Sequence, residues 1–412
     1  MRADARHLND WLMGIDTFNA TPGEGTTREV YTKEFYRARD YLKNELSALG
    51  LEVQEDCVGN IYGEFRGRHP ELPAIWTGSH IDTVPHGGRY DGLAGVFSGL
   101  EAIRMMKAEG YRPKRSIFVN AYAGEEMSRF GMCCIGSRAI VGRIGAHDLK
   151  DAKDEAGESI FDALQRDGFQ PEHFDQDFSS KPKVYASMEL HIEQNRILQD
   201  KGIPVGIVTG ICAPTNLRCE VRGVQSHAGG TSMADRRDAF MAAAEIALAL
   251  EQLAKTSPSE YITGTVGAIK LEPGAANVIP GRAAFSIDIR SISAKDKADL
   301  VEALKEKIEA ITRVRGVSCQ LKLLNDDRPY ICSPHIRELL HEDAAELGLP
   351  VLDMISGAYH DSLMLGDITE AAMLFIPCKD GISHDRAEAI KMEDLVKGTE
   401  LLAATLRRLS EE

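Results

Sequence analysis

Four short strings hold the side chains able to do chemistry. In GSHIDTVPHGGRYDG, His80 and Asp82 stand two apart, so on an extended segment they point the same way. That spacing lets Asp82 accept the second ring N–H of His80 and fix its tautomer, as carboxylates do behind metal-bound histidines. Asp91 follows just before Gly92. In AGEEMSRFG, Glu125 and Glu126 are adjacent after an apolar run. Two buried carboxylates are costly unless something positive neutralises them. One can bind an ion while its neighbour takes a proton from bound water, although a helix N-terminus would also favour both. MELHIEQN adds His191, Glu193 and Gln194, and GISHD adds His384 and Asp385. Taken singly, the first string also fits a satisfied surface pair, and either of the last two an ordinary polar loop. Together, His80, Asp91, Glu126, His191 and His384 form a mixed imidazole and carboxylate set. Such ligands suit zinc, manganese or cobalt, and five of them with one shared carboxylate suit two ions. A two-ion site lowers the pKa of a bridging water and polarises a carbonyl.

These strings need elements to position them. Apolar spacing at Tyr31, Phe35, Ala38, Leu42 and Leu46 predicts a helix over 28–49, stopped by Gly50. LEVQEDCVGNIYGEFRG reads as two strands joined at a Gly-Asn turn. PAIWTGSH is a buried strand ending at His80, GLAGVFSGLEAIRMMKAEG turns helical, and RSIFVNAYAGEE is a strand ending in two carboxylates. Residues 150–180 are polar and acidic and read as helical turns in a surface excursion, and YASMELHIEQN is a strand ending near His191. The alternation predicts an α/β domain with a mixed, mostly parallel sheet between helices. Sites in such sheets gather at the carboxyl ends of strands, where His80 and Glu125–Glu126 stand.

The pattern changes after residue 212. TNLRCEVRGV, MADRRDAFMAAAEIALALEQLAK, YITGTVGAIKLEP paired with GRAAFSIDIRS, KADLVEALKEKIEAITRVRG and VSCQLKLLN give the order β-α-β-β-α-β. That is a two-layer unit of the ferredoxin-like kind. The expected organisation is a catalytic domain over 1–212 and 327–412, interrupted by an inserted unit over 213–326. The closing part reads as a helix (HIRELLHEDAAELGL), a strand (AAMLFIP) and a last helix (KMEDLVKGTELLAATLRRL).

Apolar residues make up 43% and charged residues 27%, which excludes a disordered chain. With 48 Lys plus Arg against 63 Asp plus Glu, the net charge of −15 argues against a nucleic-acid binder. No apolar run reaches the roughly 20 residues of a membrane span, and MRADARHLNDWL has no signal core. The eight cysteines form no CxxC pair, so reduced, mostly buried thiols and a cytoplasmic location are expected.

The ordered motif set resembles the dinuclear-metal peptidase and aminoacylase family, in its hydantoinase/carbamoylase branch, over nearly the whole chain. That branch contains N-carbamoyl-L-amino acid hydrolases, β-ureidopropionases and allantoate amidohydrolases. The resemblance implies a catalytic α/β domain with an inserted lid and dimerisation domain, a homodimer, and two divalent ions (Zn, Mn or Co) per subunit. It implies that His80, Asp91, Glu126, His191 and His384 bind metal, with Asp91 bridging, Glu125 as general base and Asp82 orienting His80. His191, where peptidases usually have an acidic ligand, points to the carbamoylase branch. In the insert, SHAGG places His227 where the family holds the oxyanion across the dimer. NVIPG places Asn277, and DIRS places Arg290, at substrate contacts; a bidentate arginine suits a planar carboxylate. Gln194 matches a further substrate contact, and SGAYHD places Gly357, Ala358 and His360 on a pocket loop. Met127, Asn195, Gly230, Ser232 and Tyr359 depart from the usual strings. The implied activity is hydrolysis of a linear amide or ureido C–N bond on a small carboxylate, an N-carbamoyl-L-amino acid ahead of allantoate. An aminoacylase or dipeptidase is the rival among enzymes and a catalytically inactive binding protein on this scaffold the rival from another class, with no role for nucleic acid or membrane.

Overall fold

The structure is a computed structural model that describes residues 2–179 and 183–412, so the end of the 150–180 segment, Ser180, lies outside the described residues. Its strands of four or more residues are, in chain order, β1 (Glu52–Glu55), β2 (Ile61–Phe65), β3 (Ala74–His80), β4 (Ile117–Tyr122), β5 (Val184–Ile192) and β6 (Val205–Ile211). They continue as β7 (Ala213–Arg222), β8 (Ile262–Thr265), β9 (Ile269–Glu272), β10 (Arg282–Ser291), β11 (Ser318–Asp326), β12 (Val351–Ser356) and β13 (Glu370–Ile376). The main helices are α1 (Ala5–Asp16), α2 (Lys33–Ala48), α3 (Leu93–Ala108), α4 (Ile135–Val141) and α5 (Ala239–Thr256). After them come α6 (Ala294–Arg315), α7 (Pro334–Glu346), α8 (Asp361–Leu365) and α9 (Met392–Glu411).

Two compact units emerge. One comprises the chain up to Thr209 with 332–354 and 360–412; the other comprises 210–331 with 355–359. In the first unit the sheet runs β1-β2-β4-β3-β5-β13-β6, with β12 beside β6. Its centre is parallel, β4 to β3, β3 to β5 and β5 to β13, while β1–β2, β2–β4 and β13–β6 are antiparallel. Every residue of β3 is buried, as expected of a strand covered on both faces. Leu93–Ile103 of α3 is likewise buried throughout, and α9 sends Leu395, Leu402, Leu406 and Leu409 into the same core. The parallel pairing of β3 with β4 sets His80 opposite Tyr122, so the strings at 80–91 and 123–126 leave the sheet at the same end.

The second unit is an antiparallel sheet in the order β9-β10-β7-β11, with β8 also on β10, under two helices. Alternating residues Leu217, Cys219 and Val221 of β7 and Phe285, Ile287 and Ile289 of β10 face Ile246 and Leu250 of α5 and Leu304 and Ile308 of α6. Ser293 caps α6 by accepting the N–H of Asp296, and Gly316 ends it in left-handed conformation. Among the described residues, no helix is long and apolar enough to cross a membrane.

Three elements differ from the sequence reading. The helix predicted from residue 28 begins at Lys33, because Tyr31 has φ 57 and Thr32 caps the first turn. The strand predicted in YITGTVGAIKLEP is two strands, β8 and β9, both antiparallel to β10; the break falls at Ala268, whose N–H donates to Ser286 Oγ at 3.0 Å. Helix α1, capped by Asp4 and burying Leu8, Leu12 and Ile15, occupies the segment read only for a signal core.

Candidate active site

The carboxyl ends of β3 and β5, the loop after β4 and the loop before α9 converge within the first unit. Asp91 lies at their centre and is 5% exposed. Its Oδ1 is 3.0 Å from His191 Nε2 and 3.5 Å from His80 Nε2. Its Oδ2 is 3.2 Å from His384 Nε2, which is also 3.2 Å from Glu126 Oε1. The five residues therefore form two donor sets that share one carboxylate: His80, Asp91 and His191, and Asp91, Glu126 and His384. Ligands about 2.0–2.1 Å from one tetrahedral ion stand roughly 3.3 Å apart. The spacing, the burial and the mixed N and O chemistry fit two divalent ions.

The neighbours hold these five side chains in place. Gly92 has φ 68, and a Cβ there would come within 2.6 Å of the His80 ring, so only glycine lets the 91–92 turn pass the imidazole. His191 Nδ1 lies 3.0 Å from its neighbour's carbonyl, Ile192 O, which places the ring hydrogen there and makes Nε2, 3.3 Å from Gly92 N, the acceptor that faces the cluster. Gln194 and His384 both adopt left-handed backbone, φ 57 and 56, an uncommon conformation for such residues that persists where surrounding structure imposes it.

Asp82 acts differently from the sequence expectation. His80 Nδ1 is 3.0 Å from the main-chain carbonyl of Asp82 and 3.8 Å from its carboxylate. Strand β3 ends at His80, so the two-residue alternation does not extend to Asp82. The carboxylate turns instead to the next loop, accepting the main-chain N–H groups of Gly124 (3.2 Å), Glu125 (3.4 Å) and Glu126 (3.0 Å).

Charge follows this geometry. Burial opposes a proton on His80, but the hydrogen bond to Asp91 and the charges of Glu125 and Asp82 raise it well above its ordinary value. Burial likewise opposes ionisation of Asp91, yet the three histidines hold it well below the carboxylate range. His384, hydrogen-bonded to Asp91 and Glu126, is raised to about 10. Burial is the main cause that pushes Glu125 well above an ordinary carboxylate. Its Oε2 lies 3.9 Å from His80 Nε2, beside the ligand cluster.

Gln194 Nε2 donates to Asp91 Oδ2 at 2.9 Å, and its buried Oε1 has no hydrogen-bond partner among the described residues. His360 packs edge-on against the His191 ring at 4.6 Å and forms a further possible ligand group with Glu189 and His191. Glu193 instead caps a short helix, accepting from Ile197 and Leu198, and Asp385 accepts from Ala387 N, so neither joins the cluster. Other polar residues here went unread in the sequence. Glu189 accepts from Ser79 Oγ at 2.7 Å and Ser362 Oγ at 2.7 Å, Asp361 accepts from Ser137 Oγ, and Ser383 and Glu388 flank His384. A carboxylate inside the apolar run of β5 was the readable signal for Glu189; Ser383 and Glu388 have none.

The remaining candidates lie in the second unit. His227 is exposed, and its Nδ1 accepts the N–H groups of Gly229 and Gly230, each at 3.0 Å. A ring nitrogen that accepts is unprotonated, so the neutral ring carries its hydrogen on Nε2. Asn277 accepts Ala228 N–H on its carbonyl at 3.0 Å. Arg290 donates from Nε to Asp288 Oδ1 at 2.9 Å and from a terminal nitrogen to Gly357 O at 3.4 Å. A Cβ on Gly357 would come within 2.0 Å of Tyr261 Oη, and Ala358 O accepts from Ser356 Oγ at 3.0 Å. Tyr359 spends its hydroxyl on Asp327.

A family profile described as peptidase family M20/M25/M40 matches residues 76–408, the span that supplies all five clustered residues. The chain belongs to this family. It is 40% identical to the ureidoglycolate hydrolase of Oryza sativa subsp. japonica over 99% of this chain and 85% of that one. It is 35% identical to an N-carbamoyl-L-amino acid amidohydrolase of Geobacillus stearothermophilus (97% of each chain) and 34% identical to an allantoate amidohydrolase of Bacillus subtilis (98% and 97%). The crystal structure of a hydantoinase/carbamoylase family amidase from Burkholderia multivorans superposes with a TM-score of 0.88 at 30% identity, over 100% and 99% of the two chains. This M20 protein is an amidohydrolase of the hydantoinase/carbamoylase branch, acting on carbon–nitrogen bonds of linear amides. M20 enzymes depend on metal, which agrees with the donor sets around Asp91.

Proposed function

We propose that this M20 protein hydrolyses the ureido group of a small α-ureido carboxylate, releasing ammonia, carbon dioxide and the free amine. The observation that carries the reading is Asp91, whose two oxygens face different donor sets, which suits two divalent ions per subunit. Zinc, manganese or cobalt held there would polarise the ureido carbonyl and acidify a water. Glu125, buried beside the cluster, takes the proton of the attacking water and returns it to the leaving nitrogen. His227, with its hydrogen on Nε2, is suited to donate to the developing oxyanion, and Arg290 to grip the substrate carboxylate. Asp82 holds the Glu125 backbone. Gln194, Asn277, Gly357, Ala358 and His360 remain candidate substrate contacts on motif alone. The working form is proposed to be a cytoplasmic homodimer in which His227 serves the partner subunit's site.

N-carbamoyl-L-amino acids are the substrates expected from the motifs. Ureidoglycolate, which places the same ureido group one carbon from a carboxylate, is a second reading, favoured by the 40% identity to a ureidoglycolate hydrolase. The test is an ammonia-release assay of metal-loaded protein on N-carbamoyl-L-amino acids, ureidoglycolate, allantoate, acyl amino acids and dipeptides. Turnover confined to ureido carboxylates is expected. Preference for acyl amino acids or dipeptides would overturn the reading.

A further inference from the structure

Glu388 ties two ligand-bearing loops together. Its Oε1 accepts the main-chain N–H of Tyr90 at 2.8 Å and of Asp91 at 3.1 Å. Its Oε2 lies 3.0 Å from Ser383 Oγ, and that hydroxyl lies 2.8 Å from Asp91 Oδ2. One 5%-exposed carboxylate thus joins the loop that delivers Asp91 to the loop that delivers His384. Gly88 makes the room: a Cβ there would lie 2.0 Å from the Glu388 carboxyl carbon.

The two donor sets depend on this junction unequally. His80 and His191 stand at the ends of β3 and β5, buried and anchored in the sheet. His384 stands on a loop with left-handed backbone, and its side chain is 49% exposed. Its own contacts with Asp91 and Glu126, each at 3.2 Å, depend on the seating of its loop, and the polar contacts of that seating with Asp91 and its loop run through Ser383 and Glu388.

We propose that Glu388 is a positioning residue for the divalent ion held by Asp91, Glu126 and His384, acting by docking the 383–388 loop onto the 88–91 loop. The inference rests on the two-ion reading above. It assigns Glu388 no contact with substrate or with the reacting atoms. A residue that merely supported the fold would lower stability and weaken both ions alike.

The test uses full-length protein stripped of metal, titrated with Mn²⁺ by calorimetry and with Co²⁺ by absorption. Wild type is expected to bind two ions. Glu388→Ala is expected to keep one near wild-type affinity and to weaken the other at least tenfold. Gly88→Ala, which crowds the carboxylate out of its seat without removing any acid, is expected to do the same, and it carries the test should Glu388→Ala fail to fold. Glu388→Gln keeps an acceptor for both N–H groups and a polar atom toward Ser383, so it should recover most of the second affinity. Melting each variant in chelator reports folding separately. Two ions retained at unchanged affinity in both alanine variants would overturn the role of Glu388 alone. Equal weakening of both ions would overturn it in favour of plain structural support. A single ion in wild type would bring down the two-ion reading and this one with it.

Discussion

Asp82 Oδ2 accepts the main-chain N–H of Glu126 at 3.0 Å, so the residue expected to orient a histidine ring holds the loop carrying the proposed general base, Glu125, and one proposed ligand, Glu126. Asp82→Asn replaces one acceptor oxygen with an N–H₂ that faces N–H groups. The loop should move, and a displacement of about 1 Å can cost roughly 10²-fold in rate. Turnover is expected to fall by about that factor. Stability, read from urea unfolding, should fall by about 1–3 kcal/mol, the usual cost of spoiling a buried charged hydrogen bond. Unchanged turnover with only reduced stability would show that the loop keeps its place without Asp82.

Glu125 and Glu126 are neighbours with different surroundings, and their variants should separate. Glu126 Oε1 meets His384 at 3.2 Å and groups with Asp91, whereas Glu125 groups with His80 and Glu126 but not with Asp91. Glu125→Gln is expected to retain its metal and lose about 10²–10⁴ in rate. Glu126→Ala should lose metal occupancy, measured by elemental analysis after gel filtration. The reverse pattern would exchange the two roles.

How far this site was readable follows from where its signals lie. Four of the five clustered residues follow apolar runs or stand beside a glycine, and a parallel sheet brings such ends together whatever their separation in sequence; His384, in the loop string GISHD, is legible only beside the other four. Glu388 gives no such signal, because its partners are main-chain N–H groups 297 and 298 residues away. The turn of Asp82 was hidden for a local reason: alternation holds only while the strand lasts, and β3 stops at His80. Helix α1 was legible from Leu8, Leu12 and Ile15 at helical spacing. The division of residues 262–272 into two strands was not, since both halves alternate alike and Ser286 on the neighbouring strand marks the break.

In the metal-free protein His384 keeps its proton up to about pH 10, chiefly through its hydrogen bonds to Asp91 and Glu126. A folded-state pKa above the unfolded value of about 6.5 stabilises most below that value. The contribution is lost as pH rises through 10. Ion binding at neutral pH must therefore expel this proton, because imidazole ligates only when neutral. Calorimetry in buffers of different ionisation enthalpy is expected to show proton release, reduced in His384→Gln. Release that is identical in the two proteins would refute the assignment of His384 as a ligand.

His227 Nδ1 is committed to the amides of Gly229 and Gly230, so a variant must replace the Nε2 donor. Loss of one oxyanion donor typically costs about 2.7–4 kcal/mol in the barrier, and His227→Ala should slow turnover to match. If the residue serves the partner subunit, inactive His227→Ala mixed with inactive Glu125→Gln should regain activity, since a hybrid dimer contains one intact site. No recovery after confirmed subunit exchange would rule out action across the dimer.

Arg290 is held by Asp288, whose Oδ1 accepts from Nε at 2.9 Å and whose Oδ2 accepts from a terminal nitrogen at 3.3 Å. Asn216 steadies that carboxylate in turn, donating to Oδ2 at 2.9 Å. The guanidinium plane is thus set before any substrate arrives, which lowers the ordering cost of a two-bond grip on a carboxylate. Lysine keeps the charge but loses both the fork and its orientation. Arg290→Lys should lower kcat/KM for ureido carboxylates by an amount corresponding to about 1.5–3 kcal/mol of charged hydrogen bonding. Asp288→Asn, which leaves Arg290 in place but loosens its plane, should raise KM more than it lowers kcat. Both variants should treat an amidated or esterified analogue much as wild type does. An equal loss on carboxylate and neutral analogues would mean that Arg290 supports the Gly357 loop, through its bond to that carbonyl, and does not recognise the substrate. Wild-type preference for the neutral analogue would remove the carboxylate from the proposed substrate class altogether.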